Sequence, residues 1–343
     1  MKKIGICKLR TIFKAKIKQK AKHLKASNNN DENNIYTKPN NTNYFYINKM
    51  SYWIHIILFL ILLYQFKKYL NKPSFIGKTV WITGGSSGIG EALAYEIARL
   101  GGKVIISGRN LTELNRVKSS AGPLSNLISI LQQDLSNADK ALAQAQEFLK
   151  NTKVDILINN AGRGQRAGFL DDLESLSIEK ALMEINYFSV VALTKAAYEN
   201  MSPGGQIVLI SSVAGVVASP YRAAYTGSKS AISHYIDVVF AEDYKLAYTT
   251  IYPGYVNTNF SKNCLDAKGS SFGKDVETTK TGMSPEAFAQ IAAKGIFNKE
   301  RHLFICDFKQ KLMYFLKFWT PSLYFWILFK YGKKIKREME KAS

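Results

Sequence analysis

The hydrophobic positions fall into two regimes along the chain. From Lys78 onward, short apolar runs recur at 79–83, 104–107, 127–131, 154–158, 206–210, 248–252 and 302–306. Each has the length of a strand and too few polar positions to leave one face in water, as expected of strands covered on both sides. Between them lie longer segments whose apolar residues return every three to four positions, at 88–101, 110–119, 138–150, 176–201, 222–244 and 284–296. These are the spacings of helices with one buried face. Strict alternation of strand and helix predicts an α/β fold with a doubly wound, Rossmann-like parallel sheet flanked by helices. No internal repeat is evident.

Upstream the pattern changes. Residues 52–66 carry no charge and are apolar on every side, between Lys49 and Lys67. Fifteen residues are fewer than the roughly 20 that cross a bilayer. Tyr52, Trp53 and Tyr64 suit the interfaces, however, and flanking lysines can snorkel. A single membrane anchor over 50–71 is therefore expected, with the alternative of a buried core helix. Residues 1–49 are Lys- and Asn-rich and of low complexity, and are expected to be disordered. Two other readings apply to that segment: a basic targeting sequence, although Arg10 is its only arginine, and a translation start at Met50. Downstream, 307–343 is a basic segment rich in Phe, Trp, Tyr and Leu, interrupted by Pro321. It is expected to form an interfacial helix pair, or else to pack over the mouth of a substrate pocket. The expected organisation is thus 1–49, the anchor at 50–71, a catalytic domain at 72–306 and the tail at 307–343.

Charge sharpens this division. The 343-residue chain has a formal net charge of +21. Residues 1–50 hold +10, 51–78 add four lysines, 79–300 are neutral and 301–343 hold +7. A nucleic-acid-binding fold would carry such charge on its own face. Charge confined to the ends, beside apolar segments, points to a membrane surface, with no nucleic acid as partner. If the chain starts at Met50, the positive-inside rule places the catalytic domain in the cytosol. Three scattered cysteines and four dispersed histidines offer no metal-ligand spacing and no disulfide framework.

The first strand runs into Thr83-Gly84-Gly85-Ser86-Ser87-Gly88-Ile89-Gly90 and then a helix. Gly84 permits the turn, Gly88 lets backbone approach a pyrophosphate, and Gly90 lets helix and strand pack closely. The helix N-terminus, with Ser86, Ser87 and Ile89 around it, supplies unpaired N–H groups to phosphate. Where a ribose 2′-hydroxyl usually meets an acidic residue, after the second strand, this chain has Arg109. A guanidinium there matches a 2′-phosphate, so NADP(H) is expected over NAD(H). Asp134, followed by Leu135 after the third strand, is placed to accept from an adenine amino group.

Tyr225-Thr226-Gly227-Ser228-Lys229 sets Tyr and Lys on one face of a helix, with Ser212 thirteen residues earlier at a strand end. Carbonyl reduction needs a proton donor and a group that polarises the carbonyl. Tyrosine at a pKa near 10 exchanges protons poorly at neutral pH. An ammonium at ~4 Å in an effective dielectric near 20 is worth roughly 4 kcal/mol, at most about three pKa units, toward the phenolate. Ser212 can bond the oxygen as charge grows on it.

On the turn at Thr83 to Gly90, on Asn159-Asn160-Ala161-Gly162, Asn186, Ser212, Tyr225/Lys229, and Pro253-Gly254 with Thr258, residues 78–306 resemble the short-chain dehydrogenase/reductase family. The resemblance implies that Ser212, Tyr225 and Lys229 are catalytic and that Asn186 holds a relay water. It implies that Asn160, Ala161 and Gly162 support the cofactor side, that Pro253, Gly254 and Thr258 line the nicotinamide, and that Tyr225 and Lys229 also meet the cofactor. It further implies a homodimer. Pro253 to Ser261, Gly269-Ser270, Gly282 to Pro285 and Ser219 to Arg222 resemble the membrane-anchored 7B-type branch. That branch implies a lipophilic carbonyl substrate (acyl-dihydroxyacetone phosphate, or a steroid, retinoid or sphingoid ketone) and a single-pass protein of the endoplasmic reticulum or a peroxisome-related membrane. A reductase is thus expected. The alternative is a catalytically silent membrane-bound cofactor sensor, which the intact Ser, Tyr and Lys disfavour.

Overall fold

The computed structural model describes residues 52–60, 62, 72–171, 175–274 and 281–342. The chain divides into two units, 1–70 and 71–343. In the first, residues 52–60 are helical, and Trp53, Phe59 and Leu60 are exposed. Among the described residues no helix is long and apolar enough to cross a membrane. The remainder of the expected anchor, and the whole Lys/Asn-rich segment, lie outside the described residues.

The second unit is built on seven strands: β1 (Thr79–Thr83), β2 (Lys103–Gly108), β3 (Ile128–Gln132), β4 (Ile156–Asn159), β5 (Gln206–Ile210), β6 (Ala247–Pro253) and β7 (His302–Ile305). All pairs are parallel, in the order β3-β2-β1-β4-β5-β6-β7. The helices are α1 (Gly88–Arg99), α2 (Leu111–Ser120), α3 (Ala138–Lys150), α4 (Ser177–Met183), α5 (Ser189–Asn200), α6 (Ala223–Glu242), α7 (Pro285–Phe297), α8 (Phe308–Trp319) and α9 (Pro321–Ala342).

The strands explain why their sequences do not alternate with polar residues. Val80 and Ile82 enter one core with Val104, Ile106, Ile158 and Val208, against α1 and α7. Trp81 points the other way and joins Ile105, Leu157, Ile207 and Leu209, against α3, α5 and α6. Successive side chains still take opposite faces, but both faces are covered by helices. The Trp81 indole N–H donates to Ser107 Oγ at 3.0 Å, so the largest buried side chain leaves no polar atom unpaired.

The strand order reverses between β1 and β4. Their carboxyl ends open a crevice there, where open α/β sheets place their ligands. One feature departs from the sequence reading. The helix expected over 176–201 is two helices, α4 and α5, joined by a π-helical turn at Glu184–Phe188. The segment from 307 forms two helices, α8 and α9, that pack within the same unit, in keeping with the reading that sets it over a pocket mouth. α8 opens with a capping box between Asp307 and Gln310, and Tyr324 of α9 is 1% exposed.

Candidate active site

The turn after β1 is held by two glycines in the left-handed region, Gly84 (φ 65°) and Gly88 (φ 58°). A side chain at Gly88 would meet Thr258 Cγ2 at 3.1 Å, so this glycine lets the turn approach the loop after β6. A Cβ on Gly90 would lie 2.3 Å from the Gly84 carbonyl oxygen, a distance no packed atom tolerates. Gly90 is thus the close-packing glycine, with no place in the cavity wall.

Asn160 ties this turn to β4. Its Nδ2 donates to the carbonyls of Thr83 at 2.8 Å and Gly84 at 3.2 Å. The Thr83 hydroxyl in turn accepts from the N–H groups of Asn160 and Ala161, both at 3.0 Å. The crevice at the switch point is braced by these side chains.

A cavity of about 760 Å³ runs from this turn across the sheet ends. Its wall includes Gly84, Ser86, Ser87, Gly88, Ile89, Arg109, Leu135, Asn160, Ala161, Gly162, Ser212, Tyr225, Lys229, Pro253, Gly254 and Thr258. The structure therefore gathers nearly all the residues singled out from the sequence. Gly90, which packs beneath the turn, Asn186, which is buried behind Gly162, and Asp134 are not in the wall. Asp134 is exposed and its carboxylate accepts from Ser136 N–H at 3.0 Å, as a turn-capping Asp does. The wall is formed there by its neighbour Gln133, which is buried, with both side-chain amide atoms lacking a partner. Buried amides without partners are rare, and this one stands in the cavity wall beside Leu135. Sequence reasoning passed it over because glutamine in a Gln-Gln-Asp run reads as a surface residue.

The glycine cradle, the unpartnered Gln133 amide and the exposed Arg109 suit a dinucleotide with phosphates at the turn. Arg109 has no carboxylate partner among the described residues. The nearby Arg116 differs: it is clamped by Glu91 at 2.9 Å and Glu113 at 2.7 Å.

Around the reacting groups, Tyr225 and Lys229 are both buried on α6. Burial raises the Tyr225 phenol above its ordinary value, opposed by the hydrogen bond with Ser212 and by the charge of Arg222. Lys229 is not among the charges that act on it. The Lys229 ammonium donates to the Ile210 carbonyl at 3.0 Å, and burial lowers its pKa to about 8. Desolvation dominates both groups, penalising the charged form of each, and it keeps the phenol protonated. Ser212, two residues past the end of β5, caps a 3-10 turn, accepting from Ala214 N–H at 3.1 Å. Phe260 lies against the Tyr225 ring with centroids 5.8 Å apart.

Asn186 is fully buried in the π-turn. Its Oδ1 accepts from Arg163 N–H and its Nδ2 donates to Arg163 O, both at 2.9 Å, and Nδ2 also reaches Ser228 Oγ at 3.0 Å. A Cβ on Gly162 would lie 2.8 Å from Asn186 Oδ1 and 3.3 Å from Lys229 Nζ, so a glycine there leaves the two groups room beside each other. The π-turn re-aims one residue of a helix, a device frequent at functional sites.

The lysine gives a measurable signature. Unfolded, Lys229 titrates near 10.5; folded, near 8. Between those values the unfolded chain binds more protons at this site, so its contribution to stability rises with pH. Below pH 8 both states are protonated and the full cost of the buried charge applies. The wild type is expected to gain about 3 kcal/mol relative to Lys229→Met between pH 7.5 and 10.5. Denaturant unfolding of both proteins across that range measures it; parallel curves would contradict it.

The tail completes the site. Lys317 Nζ donates to Val216 O at 2.7 Å, and Tyr324 Oη accepts from Ala218 N–H at 2.9 Å. Gln310 stands over Gly254, where a Cβ would meet its Oε1 at 2.3 Å. Gln310, Met313, Ile327, Leu328 and Tyr331 line the cavity. The segment leading to Tyr225 and the loop after β6 are thus both held under α8 and α9.

Residues 78–269 match the family model for short chain dehydrogenases. The chain is 38% identical over 293 residues to dehydrogenase/reductase SDR family protein 7-like of Drosophila melanogaster, covering 82% of this chain and 87% of that protein. It is 34% identical over 286 residues to dehydrogenase/reductase SDR family member 7B of Danio rerio, covering 80% and 92%. A solved short chain dehydrogenase/reductase from Burkholderia phymatum, in complex with NAD, superposes with a TM-score of 0.59 at 20% identity, over 67% of this chain and 89% of that one. With the glycine turn, the serine and the Tyr/Lys pair assembled on one cavity, the chain belongs to the short-chain dehydrogenase/reductase family of nicotinamide-dependent oxidoreductases.

Proposed function

We propose that the protein is an NADPH-dependent reductase of a lipophilic ketone or aldehyde, working at a membrane surface. The observation that carries this reading is a single cavity that joins the glycine turn to Ser212, Tyr225 and Lys229 and then passes under an apolar roof of Met313, Ile327 and Leu328. A bound reduced nicotinamide supplies the hydride. Tyr225, kept protonated by burial, gives its proton to the carbonyl oxygen. Ser212 donates a hydrogen bond to that oxygen as negative charge develops. Lys229 and Asn186 hold polar groups at the buried end of the site, where water is excluded and each bond counts for more.

NADP(H) over NAD(H) rests on Arg109, which has no carboxylate partner among the described residues. The membrane setting rests on the outer faces of α8 and α9, where Phe318, Trp319, Phe325, Trp326 and Phe329 are exposed amid Lys309, Lys330 and Lys333. Aromatic and basic residues on one surface suit a headgroup layer. With the apolar segment at 50–71 this supports a single-pass protein of the endoplasmic reticulum or a peroxisome-related membrane, its catalytic unit in the cytosol. Tyr198 on α5 and Val238 and Phe240 on α6 are exposed, which supports a homodimer through these helices.

NADPH oxidation by the detergent-solubilised chain tests the reading. The panel is acyl-dihydroxyacetone phosphate, 3-ketosphinganine, a 3-ketosteroid and retinal, with short water-soluble ketones as controls. At least one lipophilic carbonyl is expected to exceed every short ketone in kcat/KM by roughly tenfold or more, about one CH2 pair of added burial. Equal rates on short ketones would remove the lipid assignment, and NADPH binding without turnover on any member would favour the silent sensor.

A further inference from the structure

The cavity wall holds positive charge that reduction of a neutral ketone does not require. Arg163 follows β4, and Arg222 precedes α6 three residues before Tyr225; both stand in the cavity wall. Arg166 packs beside them. Its Nε is buried with no hydrogen-bond partner, and its Nη2 reaches Ser261 Oγ at 3.5 Å. Arg163 bonds only neutral groups, donating from Nε to Asn263 O at 3.2 Å and from Nη2 to Ser271 Oγ at 3.4 Å. Among the described residues none of the three is paired with a carboxylate, whereas Arg99, Arg116 and Arg301 each are.

A cluster of guanidinium groups is unfavourable while it lacks compensating charge. Burial and the charge of Arg222 together lower the pKa of Arg166 to about 10. Three arginines and the buried Cys264 share this corner, and the thiol, raised by burial, supplies no anion at neutral pH. Buried cations are normally paired. Nothing described in the chain pairs these, and two of them, Arg163 and Arg222, line the ligand cavity. Arginine is also the side chain whose fork best fits an oxyanion.

We propose that Arg163, Arg166 and Arg222 form an anion subsite, and that the substrate carries a phosphate or carboxylate group beside its carbonyl and its apolar portion. Arg163 and Arg222 contact the oxyanion, and Arg166 supports them from behind. Tyr255 and Tyr331, which hydrogen-bond to each other on the same stretch of wall, add hydroxyls there. The apolar portion lies under Met313 and Leu328. The role of the anion's owner as a carbonyl substrate rests on the reductase reading; the anion subsite itself does not.

Titration calorimetry on the full chain in an uncharged detergent, with and without NADPH, tests this using hexyl phosphate, hexanoate, hexanol and inorganic phosphate. Hexyl phosphate and hexanoate are expected to bind at least tenfold more tightly than hexanol, and hexyl phosphate roughly tenfold more tightly than inorganic phosphate. Arg222→Gln and Arg163→Gln should each shrink the charged-over-uncharged preference severalfold, with Arg222→Lys retaining part of it. Equal binding of hexyl phosphate and hexanol, or a preference untouched in both glutamine variants, overturns the subsite. Inorganic phosphate binding as tightly as hexyl phosphate overturns the amphiphilic substrate. NADPH failing to bind while the preference persists sinks the reductase reading and leaves the subsite standing.

Discussion

Replacing Tyr225 by phenylalanine is expected to lower kcat by a thousandfold or more while NADPH still binds. The phenol is the acid with the means to protonate a carbonyl oxygen in this cavity. Burial holds it protonated, and the Ser212 hydroxyl beside it has no comparable acidity at neutral pH. General acid catalysis contributes about 10²- to 10⁴-fold, and Phe also removes a hydrogen bond to the developing alkoxide, worth further orders of magnitude in a dry site. The ring itself remains, so its packing against Phe260, 5.8 Å away, is kept. The variant should therefore fold normally and retain nucleotide, read as quenching of protein fluorescence by NADPH. A residual rate within tenfold of wild type would remove Tyr225 from the acid role. Loss of NADPH binding together with activity would mean that the substitution damaged the site at large.

Local chemistry explains which parts of this architecture can be read from the sequence. The glycine turn, the Tyr/Lys pair and the strands depend on residues within a few positions of one another. Periodicity and φ requirements therefore reveal them: β1, α3 and β5 begin and end where the apolar pattern does. The π-turn at Glu184–Phe188 is not legible in this way. It exists because Asn186 bonds both backbone groups of Arg163, from a loop 23 residues earlier. The arginine cluster likewise brings together side chains from the loops after β4 and before α6. Each taken alone reads as an ordinary surface arginine. That Gln133 stands in the cavity wall is hidden for the same kind of reason: it and Asp134 are both polar, and only the path of the chain after β3 turns the glutamine inward. The tail offered two readings, and its aromatic residues are enough for two faces. One packs over Gly254 and Val216–Ala218, while the other stays exposed.

Exchanging Arg109 for aspartate is expected to reverse the choice of cofactor. The turn has two arginines within reach, and their surroundings separate them. Arg116 spends its charge on Glu91 and Glu113, and its Nη2 also donates to the Ser86 carbonyl. Those carboxylates hold its pKa well above the usual guanidinium range. Arg109 is exposed, lines the cavity and has no such partner among the described residues. A guanidinium–phosphate bond is worth about 1.5–3 kcal/mol. Its loss, with repulsion between the new carboxylate and a 2′-phosphate, weakens NADPH by roughly 10²-fold, at 1.4 kcal/mol per factor of ten. The same carboxylate can accept from the free 2′-hydroxyl of NADH. The ratio of kcat/KM for NADPH over NADH should fall by about 10²-fold or more in Arg109→Asp and by a smaller factor in Arg109→Ala. Tyr225 and Lys229 stand on α6, apart from this edge of the sheet, so the best rate with the preferred cofactor should stay near wild type. An unchanged ratio in both variants would show that Arg109 does not read the 2′-phosphate and would remove the basis for preferring NADP(H).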